Sequence, residues 1–409
     1  MPKAVVIGGG VGGLTAGVAL RRKGWDVTVL ERASHLAPVG SGLAIAPNAL
    51  KALDALDLGD RIRRLGRFEG RAGVRRADGR WLVHTTEDDA QARYGDSVVI
   101  MLRAALMDVL TDALGEAHLR LGVTVSDVDA AGGVVRTGEG DLEADLVVAA
   151  DGIHSATRGA LFPGHPGPVY SGVTAWRGLV PRADLPIQST ESWGKGLVFG
   201  VHLLAGNAGD AGEAGDAGDI GDTVYVYATD VSPAGAVHGD EREELLRRFG
   251  DWHEPIPSLL RAADPAKIIR NDIFSFGTPL PALHSGRVAF AGDAAHPMTP
   301  NLGQGACQAI EDAVVLAFPA GGSPAVEDVL PAYTAARLDR TWKIVRQSMT
   351  ICRLTRVRHP LAVRLRDLGM STAARLSPDL MLRSMNDVLG WRPPAATGRT
   401  STPSIPSDG

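Results

Sequence analysis

Three stretches of this chain hold residue types at spacings that suit the handling of a dinucleotide. The first is Gly8-x-Gly10-x-x-Gly13. Gly8 permits a tight turn, Gly10 lets the backbone approach a pyrophosphate, and Gly13 lets a helix pack closely on the preceding strand, its N-terminus facing the anion. Glu31 follows Gly13 by eighteen residues, the place for a carboxylate that hydrogen-bonds ribose hydroxyls, and Arg32 stands beside it. This combination serves NAD and FAD alike. The second stretch, Ala149-Ala150-Asp151-Gly152-Ile153-His154-Ser155-Ala156-Thr157-Arg158, holds an Asp-Gly, a serine and an arginine after an apolar run. The third, from Gly286 to Gly305, reads GRVAFAGDAAHPMTPNLGQG. It places Gly292 and Asp293 after a strand, and Pro297, Pro300, Leu302 and Gly303 in a loop that leads into a helix. A plain NAD dehydrogenase has no need of a second dinucleotide-contacting strand end so far downstream. FAD does, because its ribityl chain and isoalloxazine extend well past the first βαβ unit.

These residues require particular elements to hold them. Residues 4–7 form a β-branched run suited to a strand buried on both faces. A helix over 14–23, closed by Gly24, and a strand over 26–30 complete a βαβ unit. Helical spacing recurs at 48–65 and 103–114, and buried-strand texture at 142–150 and 287–291. From 166 to 277 the texture changes to alternating segments, such as 198–204 and 223–228, separated by prolines, the pattern of an antiparallel sheet. Period-2 geometry sets Thr223, Tyr225 and Tyr227 on one face, with Gly200 and His202 sharing a face of the neighbouring strand. Val198, Val224 and Trp193 are the expected apolar lining. Trp176, on a strand, reads as core. Residues 205–222 repeat Ala, Gly and Asp and read as a flexible loop. Residues 333–391 read as helices with arginines on one side, taken as a solvated face. Residues 392–409 read as a disordered tail.

Composition narrows the class. With 409 residues, 44% apolar and 22% charged, the chain is that of a soluble globular protein of two or three domains. A net charge of -5 makes no electrostatic case for gripping nucleic acid or an anionic membrane, so neither is expected as a partner. Residues 4–20 are uncharged, but six glycines interrupt them and they fall short of a membrane span. The two cysteines, Cys307 and Cys352, sit in no metal or disulfide spacing, so no metal is expected and the reading is cytoplasmic.

The three motifs in this order, with Arg103 in LRAALMDVL and the Ala175-Trp176-Arg177-Gly178 stretch, resemble the class A flavoprotein aromatic hydroxylases over residues 1–345. That is the family of p-hydroxybenzoate, salicylate, 6-hydroxynicotinate and urate hydroxylases. The resemblance implies an α/β fold: a GR2-type, Rossmann-like FAD-binding domain with an inserted antiparallel β-sheet substrate domain and C-terminal helices. Its parts fall at 1–165 and 278–332 for the FAD domain, 166–277 for the substrate domain and 333–391 for the helices. It implies that Glu31 binds the adenosine ribose and that Arg103 lies near the phosphates. Asp151 would serve FAD and the nicotinamide cofactor, and Asp293 the ribityl and pyrophosphate region. Ser41, Gly42 and the Pro297–Gly305 loop would lie along the flavin ring, with backbone N–H groups of Leu302 and Gly303, at a helix start, meeting the charge of reduced flavin. His296 reads as a structural residue of the motif. If the face that carries His202, Tyr225 and Tyr227 looks towards the flavin, these residues, with Pro297, would line the reacting ring and orient or deprotonate a phenol; the alternative is a solvated face. The implied reaction uses NADH or NADPH and O2 to hydroxylate a small electron-rich aromatic substrate through a flavin C4a-hydroperoxide, in a monomer or homodimer. A flavin-dependent epoxidase or reductase, or a non-catalytic flavin-binding accessory protein, is the alternative. The halogenase signature W-x-W-x-I-P is absent.

Overall fold

A computed structural model describes residues 1–36, 41–66, 71–182, 184–204, 223–320, 325–377 and 380–394. The expected loop 205–222, and the tail 392–409 beyond its first three residues, lie outside these segments. A six-stranded sheet, whose inner strands are apolar runs buried on both faces, has the order His284–Ser285, Val288–Phe290, Leu146–Ala149, Lys3–Ile7, Asp26–Glu31, Leu119–Leu121. All pairings are parallel except the first. Helix Val11–Arg22 crosses between the strands Lys3–Ile7 and Asp26–Glu31. It lies so close to its neighbours that a Cβ on Gly17 would meet Val29 and Leu114 at 2.9 Å. Helix Gly305–Ala317 packs on it across Gly12, where an added Cβ would come within 3.3 Å of Ala309.

A second, seven-stranded sheet runs Ile269–Phe276, Pro168–Pro181, Thr223–Val231, Leu197–Leu203, Thr190–Trp193, Arg71–Arg76, Trp81–Thr86. Its last two strands come from the segment expected to belong wholly to the FAD-binding part. Arg71–Arg76 joins by a parallel pairing with Thr190–Trp193. That contact is remote in sequence, and the arginine-rich strand carries little apolar pattern. One face of the sheet, with Trp176, Phe199, Val201, Val224 and Val226, is buried under helices Glu241–Phe249 and Ile256–Ala262. Trp176 is core, and its indole N–H donates to Glu241 Oε2 at 2.6 Å. Val224 therefore faces this core rather than the lining expected of it, because Tyr225 takes the opposite face.

Three expected elements differ. The helix over 48–65 is two, Pro47–Asp54 and Gly59–Arg64, separated where Asp57 adopts φ +49°. The strand over 142–150 is also two, since Gly140–Glu143 pairs in a separate three-stranded sheet before Leu146–Ala149 enters the large one. The C-terminal helices begin earlier, as Val326–Thr355, followed by Pro360–Leu376 and the short Leu380–Ser384 and Asn386–Leu389.

The arginines of these helices are not all a solvated face. Arg337 is fully buried, its Nε donating to Asp312 Oδ1 at 2.7 Å, its Nη1 to Glu311 Oε2 and its Nη2 to Gln308 Oε1 at 2.8 Å. Glu311 also accepts from Arg340 (2.7 and 2.8 Å) and from Asn48 at 2.6 Å. Ions taken out of water are tolerated only when paired and hydrogen-bonded, and removing one partner strands the other. Arg337→Met is therefore expected to cost about 3–5 kcal/mol, read as a fall in Tm and denaturant midpoint, while Arg337→Lys recovers part of the loss.

Candidate active site

In-register pairing brings the sequence motifs together. Ile7 lies opposite Ala149 and Leu30, and Ala149 opposite Phe290. Gly8, Asp151, Glu31 and Gly292–Asp293 thus share the carboxyl edge of four adjacent parallel strands, where open α/β sheets bind ligands. Gly8 turns the chain there with φ +106°, and a Cβ on it would lie 2.4 Å from the Ala150 carbonyl oxygen. Glu31 Oε2 accepts from the Gly9 N–H at 2.7 Å and Oε1 from the Ala33 N–H at 2.9 Å. The Val11–Arg22 helix begins at this edge with no side-chain cap and no acidic residue in its first turn, leaving its N–H groups for an anion. A Cβ on Gly10 would meet nothing within 4 Å, whereas one on Gly13 would lie 1.9 Å from the Gly8 carbonyl oxygen. Gly10 therefore borders open space, and Gly13 serves packing.

Buried Arg158 bridges the turns that follow Asp151 and Asp293. Its guanidinium donates to the Ile153 carbonyl at 2.7 Å and the Ala294 carbonyl at 3.0 Å, tying the second motif to the third. Asp151 accepts from the Thr157 N–H at 3.2 Å through Oδ2, while its buried Oδ1 has no partner. Asp293 is exposed in the recess along this edge that Gly10 also borders, yet the protein crowding its carboxyl limits its hydration, which raises its pKa against the pull of His296, Arg103 and Arg158. Arg103 starts helix Arg103–Leu114, and its N–H donates to the Ser41 carbonyl at 3.0 Å. Arg32 is exposed at the end of the Asp26–Glu31 strand.

The loop after Asp293 is held from several sides. Asp312 Oδ2 accepts from the Gly292 N–H at 2.9 Å and pairs with His296 Nε2 at 2.6 Å. Burial would raise the Asp312 pKa, but His296 and Arg337 hold it at about 2. His296 is thus a structural partner of a buried carboxylate. The Pro297 carbonyl accepts from the Phe276 N–H at 3.1 Å and from Ser275 Oγ at 3.3 Å, and Ser348 Oγ donates to the Thr299 carbonyl at 2.6 Å. Pro300–Leu302 is a single 3-10 turn, and the following helix starts at Gly305 rather than near Gly303. The Gly303 N–H donates to the Pro300 carbonyl at 2.8 Å, so this expected flavin contact is already engaged. The uncapped helix start at Gly305 takes over as the source of N–H groups.

Across from this loop stands the other face of the seven-stranded sheet, itself largely buried. His202 pairs with Tyr225 and Gly200 with Tyr227. The His202 ring stacks on Tyr227 (5.6 Å between centroids, 19°) and on Tyr225 (6.5 Å, 22°). A Cβ on Gly42 would come within 2.5 Å of the Tyr225 ring, so this face abuts the Gly42–Ile45 strand. The expected lining residues Val198 and Trp193 form a small cluster with Val74 and Leu82 that Tyr227 adjoins.

One residue absent from the sequence reading completes this face. Tyr227 donates its hydroxyl proton to Glu191 Oε1, and the Trp193 indole N–H donates to Glu191 Oε2 at 2.9 Å. Burial raises the Glu191 pKa, opposed by those two hydrogen bonds. Burial and then Glu191 push Tyr227 well above its ordinary value. Burial lowers His202 to about 4, so its ring is neutral at pH 7, and its buried Nδ1 has no partner. A carboxylate alternating with tryptophan on a strand was the available signal for Glu191. For Glu311 and Asp312 it was two acids inside an apolar helix.

The site has the donor set a flavin dinucleotide requires: an open glycine turn at a free helix start, carboxylates at three strand ends, and arginine beside them. The FAD binding domain family matches residues 2–196 and 278–348. The aurachin C monooxygenase/isomerase of Stigmatella aurantiaca is 37% identical over 353 residues, 85% of this chain and 88% of that protein. The FAD-dependent urate hydroxylase of Klebsiella pneumoniae is 32% identical over 361 residues, 86% of this chain and 90% of that protein. The crystal structure of Klebsiella pneumoniae HpxO complexed with FAD and uric acid superposes with a TM-score of 0.83 at 28% identity, covering 95% of this chain and 96% of that one. The chain thus belongs to the FAD binding domain family, among the class A aromatic monooxygenases, and FAD is its cofactor.

Proposed function

We propose that the chain uses NADH or NADPH and O2 to hydroxylate a small, electron-rich aromatic substrate that bears a ring hydroxyl. The observation that carries this reading is the half-buried Glu191–Tyr227 pair beside a neutral His202, on the face opposite the Pro297–Gly303 loop. FAD, when bound, supplies the electron and oxygen chemistry. Glu31 binds the ribose, with Arg32 at the same strand end. Gly8, Gly10 and Gly13 admit the pyrophosphate. Arg103, Asp151, Gly292 and Asp293 line its path, and Ser41, Gly42, Pro297, Pro300 and Leu302 border the ring. Asp151 also meets the nicotinamide cofactor.

The substrate hydroxyl hydrogen-bonds the Tyr227 oxygen, whose own proton is already directed at Glu191. The substrate proton moves to the Tyr227 oxygen as the Tyr227 proton moves to Glu191, leaving a phenolate ring and a neutral carboxylic acid. Loss of charge suits a carboxyl whose surroundings already favour the protonated form. Tyr225 and His202 flank the ring. His202 Nδ1 accepts or donates a single hydrogen bond there, according to its tautomer.

Two experiments test the parts separately. In the glycine turn, Gly10→Ala is expected to change apoprotein stability by less than about 1 kcal/mol yet to weaken FAD retention, seen as lost flavin absorbance after gel filtration. Gly13→Ala is expected to lower stability itself, by about 1–3 kcal/mol. If Gly10→Ala retained FAD fully, the phosphate path assigned here would be wrong.

For the proton path, Glu191→Gln keeps an acceptor and removes the base. Substrate-stimulated NAD(P)H oxidation and oxygen uptake, screened first with phenols and N-heteroaromatics, is expected to fall by about 10²–10⁴-fold with flavin content unchanged. The wild-type rate should rise with pH through a value above the ordinary carboxylate range, because the base is competent only when Glu191 is ionised. That acid limb should vanish in Glu191→Gln. A wild-type enzyme whose flavin neither nucleotide reduces would sink the hydroxylase reading.

A further inference from the structure

The arginine-rich C-terminal helices carry a feature that the oxygenation chemistry does not use. Between residues 346 and 376 seven arginines stand against one aspartate, in a chain whose net charge is -5; Arg356, Arg358 and Arg366 are engaged by Ser171, Asp230 and Asp367, which leaves Arg346, Arg353, Arg364 and Arg375. Within helix Pro360–Leu376, Leu361, Leu365, Leu368 and Leu376 are 61%, 70%, 62% and 82% exposed. At 100° per residue these four occupy an arc of about 80° along one face. Arg364 and Arg375 are also exposed and border that arc on one edge. The opposite side of the helix is fixed to the protein. Val363 is buried, Met370 packs on the Trp193 cluster, and Arg366 and Asp367 form a buried pair at 2.8 Å. The leucines thus point outward by construction.

We propose that this face docks on an anionic lipid surface, with the leucines entering the interface and the arginines meeting lipid phosphates. Leucines on one side with arginines at the border make the arrangement of helices that lie in a membrane interface. The whole-chain charge hides it, because the basic stretch is offset by acids elsewhere. A second copy of the chain fits less well. The only acid of the helix, Asp367, is turned inward, so antiparallel two-fold pairing would set the arginine edges together with no carboxylate between them. The docked helix would also be the wall behind the Trp193 cluster that Tyr227 adjoins, bringing the substrate recess next to the lipid.

The test uses the full-length, FAD-loaded protein with vesicles of phosphatidylcholine alone or mixed with phosphatidylglycerol. Sedimentation with the mixed vesicles, weakened by added salt and missing with phosphatidylcholine alone, is the expected result. Leu365→Glu/Leu368→Glu should lose sedimentation while keeping flavin absorbance, and so should Arg364→Glu/Arg375→Glu, whose side chains are exposed. Wild-type protein left in the supernatant with both vesicles, or sedimentation unchanged in both variants, overturns the proposal. So does a wild-type dimer by light scattering that Leu365→Glu/Leu368→Glu converts to single chains, which would make the face a contact between copies.

Discussion

Asp312 is the point on which the geometry of the recess turns. One carboxylate, buried in an apolar helix, holds the Gly292 N–H and His296 with one oxygen and Arg337 with the other. It is kept ionised by the two bases beside it, against burial. Because a buried charge without partners is so unfavourable, this triple contact fixes helix Gly305–Ala317, helix Val326–Thr355 and the turn at Asp293 to one another. The helix position in turn depends on Gly12 and Ala309, where the Val11–Arg22 helix makes its close approach. The glycine turn and the downstream acidic turn are therefore two ends of one packed unit.

The seven-stranded sheet is brought to that unit by small residues and by the loop carbonyls. Gly42 lets Tyr225 touch the strand beside the recess. Ser275 and Phe276 from the second sheet hold the Pro297 carbonyl, and Ser348 holds that of Thr299. Loop 297–303 is thus gripped by a strand and a long helix at once, while its prolines contribute stiffness and no donors. A loop held this way can keep a flat ring and a sheet face at constant separation, which is what positioning a substrate requires.

Local features carried most of the recess in the sequence. The glycine spacing, Glu31, the Asp-Gly and the Gly-Asp turns each declare themselves within a few residues, because each serves one strand end. Period-2 alternation likewise placed His202, Tyr225 and Tyr227 on one face. The features that escaped are those defined by distant partners. Strand Arg71–Arg76 looks like a charged surface segment until its parallel neighbour is present. Arg337 looks like one more member of a solvated stripe until Glu311 and Asp312 are opposite it. The Gly303 N–H looks free until the 3-10 turn places the Pro300 carbonyl 2.8 Å away. Glu191 has no motif at all, and its meaning comes from Tyr227, thirty-six residues later and two strands across.

The two sides of the recess carry opposite electrostatic tendencies. On the dinucleotide side stand two uncapped helix starts, at Val11 and Gly305, with Arg103 and Arg158, all of which favour negative charge. On the aromatic side burial makes four groups prefer their neutral forms, His202 down and Tyr225, Tyr227 and Glu191 up, with the Arg177 guanidinium beside Tyr225 opposing the shift of that tyrosine. A substrate that carries a charge in among these buried rings loses its hydration by doing so. On the proposed reading it enters neutral and becomes anionic only when the Tyr227–Glu191 pair takes its proton. The site charge on that face is then unchanged, since the carboxylate is neutralised as the phenolate forms. Activation of the ring thus moves negative charge from Glu191 to the substrate, towards the side of the recess whose helix starts and arginines favour it.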